Sequence, residues 1–408
     1  MGGAGEVGRS GILLKGETNI MLDYGIKIDV KTEYPLKPKK VDACVISHAH
    51  LDHSGNAPAL YRFGSPQTFA TEPTFRLAEL LIKDSIKLNK KKHESMKFGN
   101  KDLTMLMHRS RSLSYNEEVK FGNAAITLQD AGHICGSAIT SVETGGMRIA
   151  YTGDLKVSPQ LLHKGAEQVE CDVLITESTY ATRDHPGREN LISQFIDSVR
   201  EVIDNRGIAL VPVFAVGRAQ EILTILGKHN LAEKVFLDGM AAKATEIVLE
   251  YPEYVSNYNL LKDSMNRATV IKKHEERSAA LEGGNIIVTT AGMLNGGPVL
   301  NYITRLNERS MIFLTGYQAE NTNGRRLLND MPLIIDDQKR HIPTPFVFYD
   351  FSAHAGQEDL RRYVKGSGAE TIICVHGDEE STLDFSNWLS GEGFTAYAPK
   401  IGDTIRLK

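Results

Sequence analysis

The chain has 408 residues, 41% hydrophobic and 24% charged, with a formal net charge of −4. This is the balance of a globular protein with a large core; it excludes disordered and fibrous classes, and no apolar run is long enough to span a bilayer. Four scattered cysteines form no C-x-x-C pair, and Met1-Gly2-Gly3-Ala4-Gly5 lacks the basic lead of a signal peptide, so core thiols and a cytoplasmic location are expected.

Strands alternate with helical patterns along the chain, an α/β signature. Ile12-Leu13-Leu14 and Ile20-Met21-Leu22 flank a Gly16-Glu17-Thr18-Asn19 turn and read as a hairpin. The run Ala43-Cys44-Val45-Ile46 reads as a buried strand, and residues 72–88 carry the apolar period of a helix. Residues 83–101 hold seven lysines against Asp84 and Glu94, a run that more often marks a solvated helix face than a nucleic-acid contact. Strands follow at 126–129, at 139–142 with 148–151 around Gly145-Gly146, and at 173–177. A different rhythm begins with a helix over about 188–205. Strands at 208–214, 235–238, 286–290 and 311–315 alternate with helices there, predicting a compact parallel-sheet domain of its own. Two further apolar runs end on histidine, residues 346–354 and 371–376.

The densest chemistry lies at Ser47-His48-Ala49-His50-Leu51-Asp52-His53, which sets three imidazoles and a carboxylate within six positions. With 13 His in the chain, chance clustering of that kind is roughly a one-in-a-thousand event. A turn after a strand can aim His48 and His50 at one metal ion and Asp52 and His53 at a second. Imidazole mixed with carboxylate, without thiolate, suits a catalytic rather than a structural zinc. Polar groups recur at strand ends further on: His133, Asp154, Glu177, His354 and His376. Binding sites of α/β folds gather at such ends, because loops leave there from a rigid base. Two divalent cations would also reverse the local sign of an acidic protein, so the net charge does not exclude a polyanionic substrate.

These motifs resemble a known family. His48-Ala49-His50-Leu51-Asp52-His53, Gly132-His133, Tyr151-Thr152-Gly153-Asp154 and a terminal histidine resemble the metallo-β-lactamase set. Glu177-Ser178-Thr179-Tyr180, Phe351-Ser352-Ala353-His354-Ala355 and Val375-His376-Gly377 resemble the three signature motifs of the β-CASP nucleases. Val216-Gly217-Arg218-Ala219-Gln220-Glu221 and the opening Gly3-Ala4-Gly5-Glu6-Val7-Gly8-Arg9-Ser10 are similar to that family as well. Leu51 and the Phe-Ser-Ala-His form point to the archaeal cleavage-and-polyadenylation-factor-like branch, in its short form without KH domains. Relatives usually place a strand before the Gly-Ala-Gly-Glu loop, whereas Met1 abuts it here; either the native start lies upstream or that edge strand is absent.

The resemblance implies a metallo-β-lactamase αββα sandwich built from residues 1–182 and 346–408, with a β-CASP α/β domain, mostly parallel sheet flanked by helices, inserted at 183–345. It implies two Zn2+ per chain, one held by His48, His50, His133 and Asp154, the other by Asp52, His53, Asp154 and His376. Seven ligands for two ions, one of them shared, leave positions open for water and a phosphate oxygen. Asp23 is a candidate acceptor for a ligand imidazole N–H. His354 is expected to act as general acid with Glu177 orienting it, Asp52 stands among the catalytic groups, and Ser352 and Arg218 are candidate substrate contacts.

The function implied is a zinc-dependent ribonuclease that cuts single-stranded RNA in 3′-end processing or turnover and leaves 5′-phosphate and 3′-hydroxyl ends. A 5′-to-3′ exonuclease mode is open. The alternatives are a catalytically silent RNA-binding scaffold, or a DNA nuclease of the DNA-repair branch, against which His376 argues. A homodimer is compatible with the family; no membrane and no small-molecule cofactor are expected.

Overall fold

The computed structural model describes residues 1–28, 31–91, 93 and 95–407. Of the lysine-rich stretch at 83–101, Lys92 and Glu94 lie outside the described residues. The chain divides into two compact units, one of residues 1–159, 164–184 and 354–408, the other of residues 160–163 and 185–353.

The first unit is a helix–sheet–sheet–helix sandwich. One sheet has five strands in the order Ile12–Leu14, Ile20–Leu22, Ala43–Val45, Gln67–Ala70 and Ser110–Ser112. Its first pair is antiparallel, as the Gly16-containing turn requires, and the others are parallel. The other sheet has seven strands in the order Thr395–Tyr397, Thr371–Val375, Val173–Glu177, Met147–Tyr151, Ala138–Thr144, Ala124–Asp130 and Glu118–Phe121. Its first four strands are parallel and the last four form an antiparallel meander.

Residue alternation shows how the layers stack. On Val173–Glu177, Val173 and Ile175 face a core shared with Leu22, Val45 and Phe69 of the smaller sheet. Leu174 faces the other way, with Ile372 and Cys374, onto Leu360, Val364, Phe385 and Leu389 of helices Gln357–Gly366 and Glu379–Gly391. Covered on both faces, these strands read as continuous apolar runs, which is what makes them visible in the sequence. Helix Glu72–Lys91 buries Phe75, Leu77, Ala78, Ile82 and Ile86.

The second unit has one six-stranded, all-parallel sheet in the order Thr269–Val270, Val235–Asp238, Asn285–Thr289, Ile208–Pro212, Met311–Leu314 and Phe346–Phe348. Helices such as Arg188–Asp204 and Arg218–Lys228 connect and flank the strands. Its core packs Leu210, Ile287, Ile312 and Leu314 against Val299, Tyr302 and Leu327. The expected fold class, a sandwich with an inserted parallel α/β domain, is the one the chain adopts.

All four cysteines are free and buried. Among the described residues, no helix is long and apolar enough to cross a membrane.

Candidate metal centre

The parallel strands of the first unit end together, and their ends carry the polar groups. Ala43–Val45 leads to Ser47 and His48, Met147–Tyr151 to Asp154, and Thr371–Val375 to His376, while Val173–Glu177 ends on Glu177 itself. His133 lies in the tight link between Ala124–Asp130 and Ala138–Thr144. That link needs Gly132, whose φ is +68° and whose missing Cβ would stand 2.3 Å from the Lys156 carbonyl oxygen. Gly153 has φ +55°, and a Cβ there would lie 2.7 Å from Ser47, so the Asp154 turn closes directly onto the histidine loop.

Two sets of ligand atoms result. In the first, His48 Nε2 is 3.1 Å from His50 Nδ1 and 3.5 Å from Asp154 Oδ2. His133 Nε2 is 3.3 Å from His50 Nδ1 and 3.6 Å from Asp154 Oδ2. In the second, Asp154 Oδ1 is 3.1 Å from His53 Nε2 and 3.4 Å from His376 Nε2. Asp52 Oδ2 stands 3.8 Å and 3.7 Å from the same two nitrogens. A tetrahedral zinc with bonds of about 2.0–2.1 Å sets its ligand atoms about 3.3–3.4 Å apart. The first set and the His53, His376 and Asp154 atoms of the second come near that edge length, Asp52 stands somewhat further out, and Asp154 presents one oxygen to each.

The hydrogen bonding behind these atoms fits a cation as well. His53 Nδ1 donates to Asp23 Oδ2 at 2.7 Å, which leaves Nε2 as the atom facing the second set. That Nε2 and Asp154 Oδ1 are both buried without a hydrogen-bond partner. At 3.1 Å without a well-directed hydrogen bond, the two atoms stand as two ligands of one cation would. Asp23 also accepts from Ser47 N, Ser47 Oγ and Tyr151 OH. Ser47 Oγ in turn lies 3.1 Å from His48 Nδ1, so one buried carboxylate orients a histidine of each set. Ser10 Oγ contacts His376 Nδ1 at 2.8 Å, and His376, at φ +49°, donates its backbone N–H to the Gly3 carbonyl. Asp23 is a candidate in the sequence. Ser10 is not, although it ends the opening glycine-rich motif, because nothing local ties it to a histidine 366 positions away.

Charge is distributed accordingly. Burial and the neighbouring His53, His133 and His50 hold His48 well below the ordinary imidazole value, outweighing Asp154. Burial disfavours the charged form of His53, but Asp154, Asp23 and Asp52 carry it well above that value. Burial likewise opposes ionisation of Asp154, yet His53, His376, His354 and His48 hold it well below the carboxylate range. Without metal, protonated histidine supplies the positive charge this carboxylate cluster requires.

His354 sits beside the first set with its Nδ1 held by Glu177, 2.9 Å from Oε2 and 3.1 Å from Oε1. Its Nε2 points inward, 3.8 Å from Asp154 Oδ2. Burial weighs against the imidazolium, but Glu177 and then Asp154 outweigh it and push His354 up to about 9. Glu177 is itself fixed by the Leu155 backbone N–H at 2.6 Å, and Lys156 Nζ donates to the His354 carbonyl at 2.9 Å. Side-chain exposure is 31% for Asp52 and 21% for His354, against 3% or less for His48, His53, His133, Asp154 and His376. Asp52 and His354 are thus the more exposed of these groups, with His50 half-buried and the others sealed. Ser352 and Arg218 belong to the second unit, Arg218 as the first residue of helix Arg218–Lys228, and both are buried.

Residues 219–327 match the Beta-Casp domain, residues 344–399 the Zn-dependent metallo-hydrolase RNA specificity domain, and residues 7–203 the anti-Pycsar protein Apyc1. The chain is 37% identical to a probable RNase, MJ4, of Methanocaldococcus jannaschii, covering 100% of this chain and 99% of that protein. It is 36% identical to RNase aCSPSF2 of Saccharolobus solfataricus, covering 100% of this chain and 84% of that one. It is 33% identical to the transcription termination factor FttA of M. jannaschii, covering 100% of this chain and 71% of that one.

Proposed function

The chain belongs to the β-CASP metallo-β-lactamase family, in the archaeal cleavage-and-polyadenylation-factor-like group of ribonucleases, and from that premise we propose that it hydrolyses single-stranded RNA at a two-zinc centre, leaving 5′-phosphate and 3′-hydroxyl ends. The observation that carries this reading is Asp154, whose two oxygens face two separate groups of ligand atoms, His48, His50 and His133 on one side and His53 and His376 on the other. Asp52, 3.8 Å from His53 Nε2 and 3.7 Å from His376 Nε2, is the proposed fourth ligand of the second group. When bound, the two cations supply Lewis acidity, lowering the pKa of water and neutralising charge on a phosphoryl oxygen.

The chain's own residues supply the rest. A ribose 3′-oxygen leaves as a basic anion, and His354 Nε2 delivers the proton that neutralises it. Such general acid catalysis is worth about 10²–10⁴-fold. Glu177 fixes the ring through Nδ1 and keeps it protonated at neutral pH. Asp23 and Ser10 fix the rings of His53 and His376, so that the ligand atoms are in place before substrate arrives. Ser352 and Arg218 stand as candidate phosphate contacts. RNA 3′-end processing or turnover is the role that follows, and 5′-to-3′ exonuclease action is an open mode of the same centre.

The test pairs metal analysis with digestion of end-labelled single-stranded RNA, with and without chelator. Two zinc ions per chain and chelator-sensitive products bearing 5′-phosphates are expected. Chelator-insensitive RNA binding without product would instead make the chain a silent scaffold.

A further inference from the structure

The lysine-rich face of helix Glu72–Lys91 has no part in the chemistry above. Lys83, Lys87, Lys90 and Lys91 share one side of the helix, at the three- and four-residue spacings that bring side chains together. All four are exposed, and with Ile86 and Asn100 they line a hollow of about 400 Å³. Lys83 pairs with Glu79 at 2.6 Å; among the described residues, Lys87, Lys90 and Lys91 have no ion pair. A solvated helix face normally alternates its charges, and like charges at these spacings repel by about 0.2–0.5 kcal/mol a pair. In a chain of net charge −4, this concentration of cation is a local feature rather than a reflection of composition.

Further cations lie on other segments of the same unit. Arg62 donates to the Lys97 carbonyl at 2.9 Å, Lys97 lies over the Tyr34 ring and Lys37 over the Phe63 ring, each 4.6 Å from the centroid. The far end of the same helix packs on the link that carries His133. Thr71, just before it, and Thr74, in its first turn, both donate to the Gly136 carbonyl, three residues beyond His133. At 1.5 Å per residue, Lys83 to Lys91 lie about 14–26 Å along the axis from Thr74.

We propose that this lysine face holds the phosphate backbone of the RNA strand at a distance from the scissile bond, acting as an electrostatic track that leads to the metal centre. The proposal rests on the reading of the centre as a ribonuclease site. Cations in a row with a roomy hollow between them fit a flexible polyanion, which needs charge and little shape complementarity.

The test compares the wild type with a K83A/K87A/K90A/K91A variant binding a single-stranded RNA of about 30 nucleotides in chelator, where no cleavage occurs. The variant should bind about tenfold or more weakly, and its slope of log affinity against log salt should be shallower by about 2–3, at about 0.7 for each phosphate no longer neutralised. Arginine at the same four positions should restore both. In turnover, the alanine variant should show a raised KM for the long RNA with kcat unchanged, and normal cleavage of an oligonucleotide too short to reach the helix. Equal affinity and slope for variant and wild type would overturn the track and leave the face to solvent or to an acidic protein. Absence of cleavage by the wild type would overturn the ribonuclease reading instead, while the binding comparison would still decide the track.

Discussion

His354 Nε2 and Asp154 Oδ2 are 3.8 Å apart, yet the roles proposed for the two residues are opposite. His354 leans on Glu177 through its other nitrogen, so a His354→Ala substitution should leave zinc content near normal while cleavage falls by about 10²–10⁴-fold. Metal loss in proportion to activity would refute its role as an acid. Asp154 serves both sets, and Asp154→Ala should deplete both ions together. The charge on His354 gives this residue a pH signature. Its acid form persists below its raised value of about 9 and is lost as pH rises through it, so kcat should fall on the alkaline side. Bound cations oppose the imidazolium and move that limb to lower pH. Glu177→Gln, which keeps an acceptor for the Leu155 N–H, should move it lower again; an unshifted limb would show that Glu177 does not hold the proton in place.

At the scale of elements, the two units solve the problem of strand-end polarity differently. In the first, the strand-end polar groups converge on the cation sets. In the second, Asp238 ends strand Val235–Asp238 and is neutralised internally, by Arg277 at 2.6 Å and 3.1 Å and by Tyr302 OH at 2.6 Å. Asp238 is buried, so Asp238→Ala would leave the phenol and the part-exposed guanidinium without their acceptor, at a cost of about 1–3 kcal/mol. Chemical denaturation should show that loss while zinc content stays unchanged, because Asp238 has no role at the metal centre. Depletion of zinc in the folded variant would contradict the assignment.

Across the molecule, stability should fall in mild acid for a reason separate from the metal ligands. His163 is one of four residues that the chain contributes to the second unit before residue 185, and burial pulls it down to about 4 from an ordinary 6.5. The unfolded chain takes up this proton below 6.5 and the folded one does not until about 4. The stabilisation is therefore complete above 6.5 and is lost as pH falls through that window, by about 3 kcal/mol in all. Unfolding free energies of the wild type and a His163→Gln variant should converge by that amount on acidification. Curves that stay parallel would assign the acid sensitivity elsewhere.

What can be read from the sequence is whatever a short segment settles by itself. Val173–Glu177 is visible to the residue because both its faces are covered, and the cluster from His48 to His53 because its ligands are neighbours in the chain. Short or edge strands such as Gln67–Ala70, Ser110–Ser112 and Glu118–Phe121 are not, since few residues carry too little period to stand out. Helices Gln357–Gly366 and Glu379–Gly391 escape notice because each offers few apolar positions, the first among charged residues and the second among small polar ones, and their packing on the larger sheet brings those positions together. Ser10 beside His376, the split of Asp154 between two sets, and the lysine hollow beside Asn100 are all meetings of distant segments. Local chemistry determined which side chains are capable of holding metal. Which atom of each faces which neighbour was decided only when parallel strands ended side by side, because ligand distances depend on register and turn geometry that no single segment contains.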